Sequence, residues 1–347
     1  MYNYPFPNEN NYFKPIETLA TEHSMGNSLY GGYLDLKVHP LLKSENIKNI
    51  NIIGCFNRNN NISSIEKGNK LFNYMRPTVT LNGINAELDC FPGIDYIFHF
   101  SNIIKSYMRM YDKNINICYQ LPTEIECWKA LEESTLKFIP RVDTVIMGYV
   151  EGLEFLSEDK NWHGNGNFLY KSIKIKSGQA ILLGCKHTFW GEIAGRIVTY
   201  LSELGIKRII YSGKLGTLVD DFVPNEVIAT GNSSILPNGE MIKWNNIFDN
   251  ITCNKVKKGI HITVPSVLQE TKEWVSKNKS DVSFIDPEIG HMAYAARKAG
   301  VEYSYLHVVS DNLAVKYPYD LSNERKIEVL KNRETLLSII GNAIMNI

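Results

Sequence analysis

Two acidic residues in the last quarter of the chain are the first candidates for chemistry. Glu288 follows a short apolar run at residues 282–285, and Asp311 follows a second run at residues 303–309. An ionised carboxylate can bind sugar hydroxyls and face a developing positive charge, whereas a protonated carboxyl can act as a general acid. Structural roles are equally open, because acidic residues suit helix starts and turns.

The elements around these two residues predict that they lie together. Residues 282–285 and 303–309 have the composition of strands, and Asp286 can cap a helix between them that has Pro287 in its first turn and ends at Gly300. A strand, a helix and a strand with a short return loop predict a right-handed parallel crossover, which ends both strands at one edge of the sheet. Ligands bind at that edge in open α/β sheets, so we expect Glu288 and Asp311 in one cleft.

Composition excludes several classes of partner. The chain has 347 residues, long enough for two cores, and Lys+Arg and Asp+Glu both number 37. This balance gives no overall field that would attract nucleic acid or an anionic membrane. No apolar run is long enough to span a bilayer and the first residues do not resemble a leader, so we expect a cytoplasmic protein. The six cysteines are scattered without metal-ligand spacing, which predicts reduced thiols.

The chain divides near Phe138 to Arg141, where proline interrupts the pattern. We expect residues 1–140 to form an N-terminal region of unknown role, a small α/β extension with strands near 50–55, 78–81 and 115–119. A helix is expected at residues 64–73. A second helix is expected from Thr123 to about residue 137, because Thr123 and Glu126 have the spacing of a capping box.

Residues 141–347 alternate strand and helix patterns more regularly. Strands are expected at 144–148, 179–184 and 208–211, the last running into a glycine-containing loop at 212–218. The pattern predicts a mixed, mostly parallel central sheet with helices on both faces.

From about residue 142 to the C-terminus, the order of these segments resembles the nucleoside phosphorylase family, which includes purine nucleoside phosphorylases, uridine phosphorylases and methylthioadenosine/S-adenosylhomocysteine nucleosidases. The similar segments are a glycine after the first strand (Gly148), a G-x-x-G-x-L segment starting at Gly213, the acidic turn Asp286-Pro287-Glu288, and Ser-Asp at Asp311. The resemblance implies cleavage of the N-glycosidic bond of a purine-type nucleoside in a homo-oligomer without a cofactor or metal. It also implies that Glu288 holds the ribose hydroxyls and that Asp311 acts as general acid to the base.

The sequence departs from the family at the positions that commonly bind phosphate. Arginines are missing around Gly152 and at Tyr211, and Lys214 replaces a serine or threonine. An anion site built from Gly148, Gly213 and Lys214 stays open, but hydrolysis is favoured over phosphorolysis. Family nucleosidases activate water with a glutamate near the first loop. Glu151 and Glu154 are the candidates for this role, and Glu151 is favoured because it is nearer to Gly148. A phosphorylase and a non-catalytic nucleoside-binding or scaffolding protein are the alternatives.

Four further residues are candidates for substrate binding. Asp286 belongs to the acidic turn, His187 and Trp190 follow a strand end, and His291 lies one helical turn beyond Glu288. His99 follows Asp95 by one turn in an apolar stretch, where a packed histidine is favoured over a metal ligand.

Overall fold

A four-stranded sheet forms the N-terminal part of the protein. The computed structural model describes residue 24 and residues 27–54, 70–317 and 327–347. The elements of this part are α1 (Asn27–Lys37), β1 (Asn49–Ile53), β2 (Thr78–Asn82), β3 (Asn85–Asp89), α2 (Ile94–Met110), β4 (Asn116–Gln120) and α3 (Glu124–Glu132). The strand order is β2-β3-β1-β4, with β1 parallel to both neighbours. Helix α2 packs on β1, β4 and α1.

A larger sheet holds the remaining strands. They are β5 (Thr144–Gly148), β6 (Phe168–Ile175), β7 (Gly178–Cys185), β8 (Arg208–Thr217), β9 (Ile228–Thr230), β10 (Ser233–Ile235), β11 (Met241–Lys243), β12 (Val256–Lys258), β13 (His261–Thr263), β14 (Phe284–Asp286) and β15 (Glu302–Asn312). The helices are α4 (Glu192–Glu203), α5 (Lys272–Asn278), α6 (Ile289–Ala299) and α7 (Ile327–Met345). Within this described part, no helix is long and apolar enough to cross a membrane.

Two cores cover the opposite faces of this sheet, because successive strand side chains point to opposite faces. Val145 and Ile209 belong to the core that contains residues of α4 and α6. Ile146 and Ile210 belong to the other core, which contains residues of α7. The central strands are therefore buried on both sides. The predicted fold class, a mixed and mostly parallel sheet with helices on both faces, is confirmed.

Strand β8 organises the sheet in a way that the sequence analysis did not predict. It pairs with β15 in parallel along its whole length. On its other side it pairs first with β5 in parallel, as far as Ser212, and then with β14 in antiparallel orientation at Gly216 and Thr217. The expected parallel crossover from β14 to β15 is wrong, because β8 lies between these strands and β14 runs against both.

Two segments that were expected to be loops are strand. Residues 212–217 continue β8, and residues 310–312 continue β15, which has a register shift between Val309 and Asp311. Pairing with the neighbouring strand outweighs the local turn preference of glycine, serine and asparagine in these segments.

Local signals predicted several element ends correctly. The Thr123 and Glu126 capping box forms as expected, and α6 ends at Gly300 in the left-handed conformation. Helix α3 ends at Glu132 and a short 3-10 helix, Thr135–Phe138, replaces its expected last turns. The expected helix at 64–73 lies mostly outside the described residues. Strand β3 was missed. The boundary near residue 140 stays a prediction, although the small sheet ends at Gln120 and the large one begins at Thr144.

The two sheets are joined where the N-termini of α2 and α4 face each other. Glu192 accepts a hydrogen bond from Ile94 N (2.8 Å) and one from Asp95 N (3.3 Å), and Asp95 accepts one from Glu192 N (2.9 Å). Each acidic side chain thus satisfies the amide groups of the other helix. Both side chains are fully buried. Gly191 has a φ of 67°, and a side chain at this position would collide with the Asp95 carboxyl.

This buried pair predicts a pH-dependent stability. Burial, and then the charge of Asp95, raise the pKa of Glu192 from 4.5 to about 8. Between these two pH values the folded chain keeps a proton that the unfolded chain releases, so the free energy of unfolding should fall as pH rises through this window. In Glu192→Gln this fall should be smaller. Urea denaturation at a series of pH values measures it, with Glu203→Gln at the exposed end of α4 as control. An unchanged pH dependence in Glu192→Gln would contradict the assignment.

Candidate active site

The arrangement of strands around β8 opens a cleft. β5 and β14 approach each other head-on along the same side of β8, and strand pairing on that side stops between Ser212 and Gly216. The carboxyl ends of β5 and β14 therefore face each other across residues 213–215. A cleft of about 300 Å³ lies there. Eight of the ten predicted site residues line it, namely Gly148, Glu151, Trp190, Gly213, Lys214, Asp286, Glu288 and Asp311.

Glu288 is held by two donors. Its Oε2 lies 3.3 Å from the Tyr211 hydroxyl, which donates to it, and its Oε1 accepts from Gly191 N at 3.4 Å. The residue is 8% exposed. Burial, and then the charge of Asp286, raise the pKa of Glu288 well above its usual range. These two bonds fix the orientation of the carboxyl group. A ligand that supplies hydroxyl donors or positive charge stabilises its ionised form.

Asp286 lines the cleft and supports the start of α6. Its Oδ1 accepts from Glu288 N (2.9 Å) and Ile289 N (2.8 Å), and lies 3.0 Å from His261 Nε2. Burial alone would raise the pKa of Asp286, but the two histidines beside it, His261 and His307, and the amide bonds outweigh burial and lower the pKa. The predicted capping role of Asp286 is confirmed, although the helix begins at Ile289 rather than at Pro287.

Asp311 lies on the other side of β8 from β14. Ile285 and Asp311 both have Gly216 as their register partner, so β8 separates the two acidic segments by one strand only. Ser310 Oγ donates to Asp311 Oδ1 at 2.7 Å. Gly216 leaves space for this carboxyl, because a side chain at that position would come within 3.0 Å of Asp311 Oδ2.

Another carboxyl residue, Glu270, also lines the cleft and was missed from the sequence. It follows the 3-10 helix Val267–Gln269 and is 5% exposed. Burial, and then the charge of Asp311, raise the pKa of Glu270 well above its usual range. A protonated carboxyl has one donor and one acceptor oxygen. No local pattern marks this residue, since its role depends on where the chain from β13 to α5 crosses the cleft.

The end of the cleft near Gly148 carries positive charge. Lys214 Nζ lies 5.6 Å and Lys70 Nζ 5.7 Å from the centre of the Tyr149 ring. Gly148 has a φ of 106° and has no room for a side chain against Ser212 O. Glu151 is beside this group, and its Oε2 accepts from Leu71 N at 2.9 Å. The predicted anion-binding residues therefore lie together, with a lysine that the sequence analysis did not consider.

The N-terminal region forms one wall of the cleft. Lys37 of α1, Arg76, and Tyr96, His99 and Phe100 of α2 all line it. The His99 ring stacks on Trp190 with centroids 4.3 Å apart, and His99 Nδ1 lies 2.8 Å from Ser266 Oγ. Burial, and then the charge of Lys37, lower the pKa of His99 well below its usual range. His99 is the packed histidine that the sequence favoured, and it is also part of the cleft wall.

Arg76 is anchored in this wall by short polar contacts. Its Nη1 donates to Thr188 Oγ1 at 2.6 Å and to Asn73 O at 3.0 Å. Arg76 thus brings a guanidinium group to the cleft from a distant part of the sequence. Only the tertiary structure reveals this position of Arg76, because Arg76 lies 135 residues before Tyr211 in the sequence.

Two predicted substrate-binding histidines do not line the cleft. His187 stacks on Phe91 with centroids 4.6 Å apart and is 3% exposed. His291 is fully buried, and its Nε2 lies 3.2 Å from Asp95 Oδ2. The sequence analysis placed both near the ligand because of their neighbours in sequence. In the structure, the end of β7 directs His187 into the core, and the turn of α6 directs His291 into the core. Among the described residues, no cluster of three His, Cys, Asp or Glu could hold a metal.

Comparison with known proteins gives similarities of limited extent. No family model matches the chain. A curated protein, the oxidoreductase cns1 of Cordyceps militaris, is 23% identical over 330 residues that cover 80% of this chain and 40% of that protein. The chain therefore spans less than half the length of this curated relative.

Solved structures similar to the chain include members of the family that the sequence resembles. A methylthioadenosine nucleosidase described as putative, from Weissella paramesenteroides, is 13% identical with a TM-score of 0.46, covering 60% of this chain and 99% of that one. A purine nucleoside phosphorylase from Toxoplasma gondii is 14% identical with a TM-score of 0.45, covering 60% and 92%. A futalosine hydrolase mutant from Helicobacter pylori is 16% identical with a TM-score of 0.43, covering 58% and 98%.

Proposed function

We propose that this protein cleaves the N-glycosidic bond of a purine-type nucleoside or nucleoside-like metabolite, with water as the acceptor. The observation that carries the proposal is the placement of Glu288 and Asp311 in one cleft, on opposite sides of Gly216 in β8. Cleavage of this bond produces a cationic, oxocarbenium-like sugar and an electron-rich leaving base, so a carboxylate that faces the sugar and a carboxyl group that protonates the base suit these two products.

The proposed roles follow from the surroundings of each carboxyl. Glu288, oriented by Tyr211 and the Gly191 amide, accepts hydrogen bonds from the ribose hydroxyls and faces the charge that develops on the sugar. Asp311 gives its proton to a ring nitrogen of the base as the bond between sugar and base breaks and its electron pair moves to the base. Glu151 accepts a proton from the water that attacks the anomeric carbon.

Glu270 and the aromatic wall belong to the base end in this proposal. A neutral Glu270 can donate one hydrogen bond to the base and accept another, which is the pattern presented by the edge of a purine. Trp190, stacked on His99, and Phe189 supply flat apolar surface in the same cleft.

Phosphorolysis is the second candidate because of one specific observation. Lys70 and Lys214 both lie within 6 Å of the Tyr149 ring centre, beside Gly148, where an anionic acceptor could be bound. Under this alternative, phosphate rather than water attacks the anomeric carbon.

Phosphate dependence separates the two reactions. With a panel of purine nucleosides, we expect release of free base in phosphate-free buffer, a rate that changes little when phosphate is added, and free sugar as the product. Chromatography of the sugar product measures this directly. Accumulation of a sugar 1-phosphate, together with a rate that needs phosphate, would replace hydrolysis by phosphorolysis.

A further inference from the structure

A second cavity lies beside the cleft and has no role in the proposed reaction. Its volume is about 360 Å³, and it is enclosed by α2, the turn between β10 and β11, β13 and α5. One short strap of chain, residues 265–271, separates it from the cleft. Val267 and Glu270 of this strap line the cleft, whereas Leu268, Gln269 and Thr271 line the second cavity.

Part of the inner surface of this cavity is apolar. Phe98, Ile262, Val264 and Leu268 form the buried part, and half-buried Trp274 lies on the α5 side. Such a surface suits a branched aliphatic, thioether or aromatic side chain of a few heavy atoms.

The mouth of the cavity carries one charge of each sign. Glu273 and Lys277 are exposed, line the cavity and lie one turn apart on α5, so they are on the same side of that helix. In the described part of the chain, no ion pair joins either residue to the other or to a third residue. Asn102 is 8% exposed. Its side-chain Nδ2 donates a hydrogen bond to Phe98 O at 3.0 Å, so the side-chain oxygen of Asn102 points away from this hydrogen bond.

We propose that this cavity binds a small zwitterion with an apolar side chain, the chemical class of the apolar α-amino acids. The ammonium group is placed at Glu273, the carboxylate at Lys277, and the side chain between Trp274 and Leu268. Glu273 and Lys277 are separated by about 6 Å along the helix axis. This distance is within reach of the two charged groups of one α-amino acid when the flexible side chains of Glu273 and Lys277 adjust.

Through the strap, a ligand bound in this cavity can affect the cleft. Contact with Leu268 and Gln269 acts on a 3-10 helix whose next residue is Glu270, the buried carboxyl of the cleft. Pro265 lines the cavity, and its carbonyl accepts the Trp190 Nε1 hydrogen bond at 2.8 Å. Occupancy of the cavity should therefore order the strap and change the position of two residues of the cleft wall. Binding itself does not depend on the proposed reaction.

Calorimetric titration of the full chain with L-leucine, L-methionine and L-phenylalanine tests the site. We expect saturable binding of at least one of them at one site per chain. N-acetyl-leucine, which lacks the ammonium, and leucinamide, which lacks the carboxylate, should bind at least about tenfold more weakly. Absence of saturable binding for all three amino acids, or equal binding of leucinamide and leucine, would overturn the proposal.

Charge-removing variants locate the site. Glu273→Gln and Lys277→Gln should each weaken binding by about tenfold, whereas Lys272→Gln, an exposed neighbour on α5 that does not line the cavity, should not. Hydrogen exchange of the amides in Val267–Gln269 should slow when the amino acid is bound. This readout needs no nucleoside, so a failure of the proposed hydrolysis does not affect it. Equal affinity of all three variants would show that the ligand binds elsewhere.

Discussion

Asp311→Asn should reduce the rate of free-base release by about 100- to 10,000-fold while nucleoside affinity changes far less. Asparagine has the size of aspartate and can still bond to a ring nitrogen, but it cannot deliver a proton. The effect should therefore appear in kcat. The fold should survive, because Asp311 is a half-buried residue near the end of β15 and its backbone pairing is independent of the side chain. Steady-state kinetics with free-base detection, together with nucleoside titration, measures both quantities.

The matched control for this variant is Asp143→Asn, an exposed aspartate that pairs with Lys207 at 3.1 Å and lies outside the cleft. It should keep the wild-type rate. If wild type and Asp311→Asn bind a nucleoside equally well and neither releases a base, the catalytic role fails and a nucleoside-binding protein takes its place. If Asp311→Asn turns over at the wild-type rate, another group, with Glu270 the nearest candidate, is the acid.

Glu288→Gln should weaken both binding and turnover. The wild-type carboxylate offers two acceptor oxygens to hydroxyl groups, and an amide offers one and adds donors that face Tyr211 and the Gly191 amide. Loss of a charge-assisted hydrogen bond costs about 1.5 to 3 kcal/mol, which corresponds to a decrease in kcat/KM of about 10- to 100-fold. Kinetics over a range of substrate concentrations gives kcat and KM separately.

The pH profile adds a signature that a structural role would not give. Because burial and Asp286 raise the pKa of Glu288, the carboxylate forms at higher pH than in an exposed glutamate. Wild-type kcat/KM should fall as pH decreases through that raised pKa, and this limb should be absent in Glu288→Gln. Glu302→Gln, an exposed residue paired with Arg208, serves as control. A folded Glu288→Gln with wild-type kinetics would mean that Glu288 only supports the start of α6.

The sequence alone determined those features that depend on neighbours along the chain. The capping box at Thr123 and Glu126, the bounds of β5, the cap at Gly300 and the capping bonds of Asp286 all follow from side chains within a few residues. The alternation of apolar runs with helical periodicity was enough to predict the mixed sheet with helices on both faces. The proximity of Glu288 and Asp311 was also expected, but from a topology that proved to be wrong.

Tertiary structure decided the direction of β14, the extension of β8 through its glycines and the composition of the cleft wall. Strand direction depends on which edge accepts the strand, and the amino-acid pattern of a three-residue strand is the same in either direction. Arg76, His99 and Glu270 come to the cleft from segments far apart in sequence, so no local spacing marks them. His187 and His291 do not line the cleft for the converse reason: closeness in sequence to a site does not fix which way a side chain points, and packing against Phe91 and Asp95 directs both rings into the core.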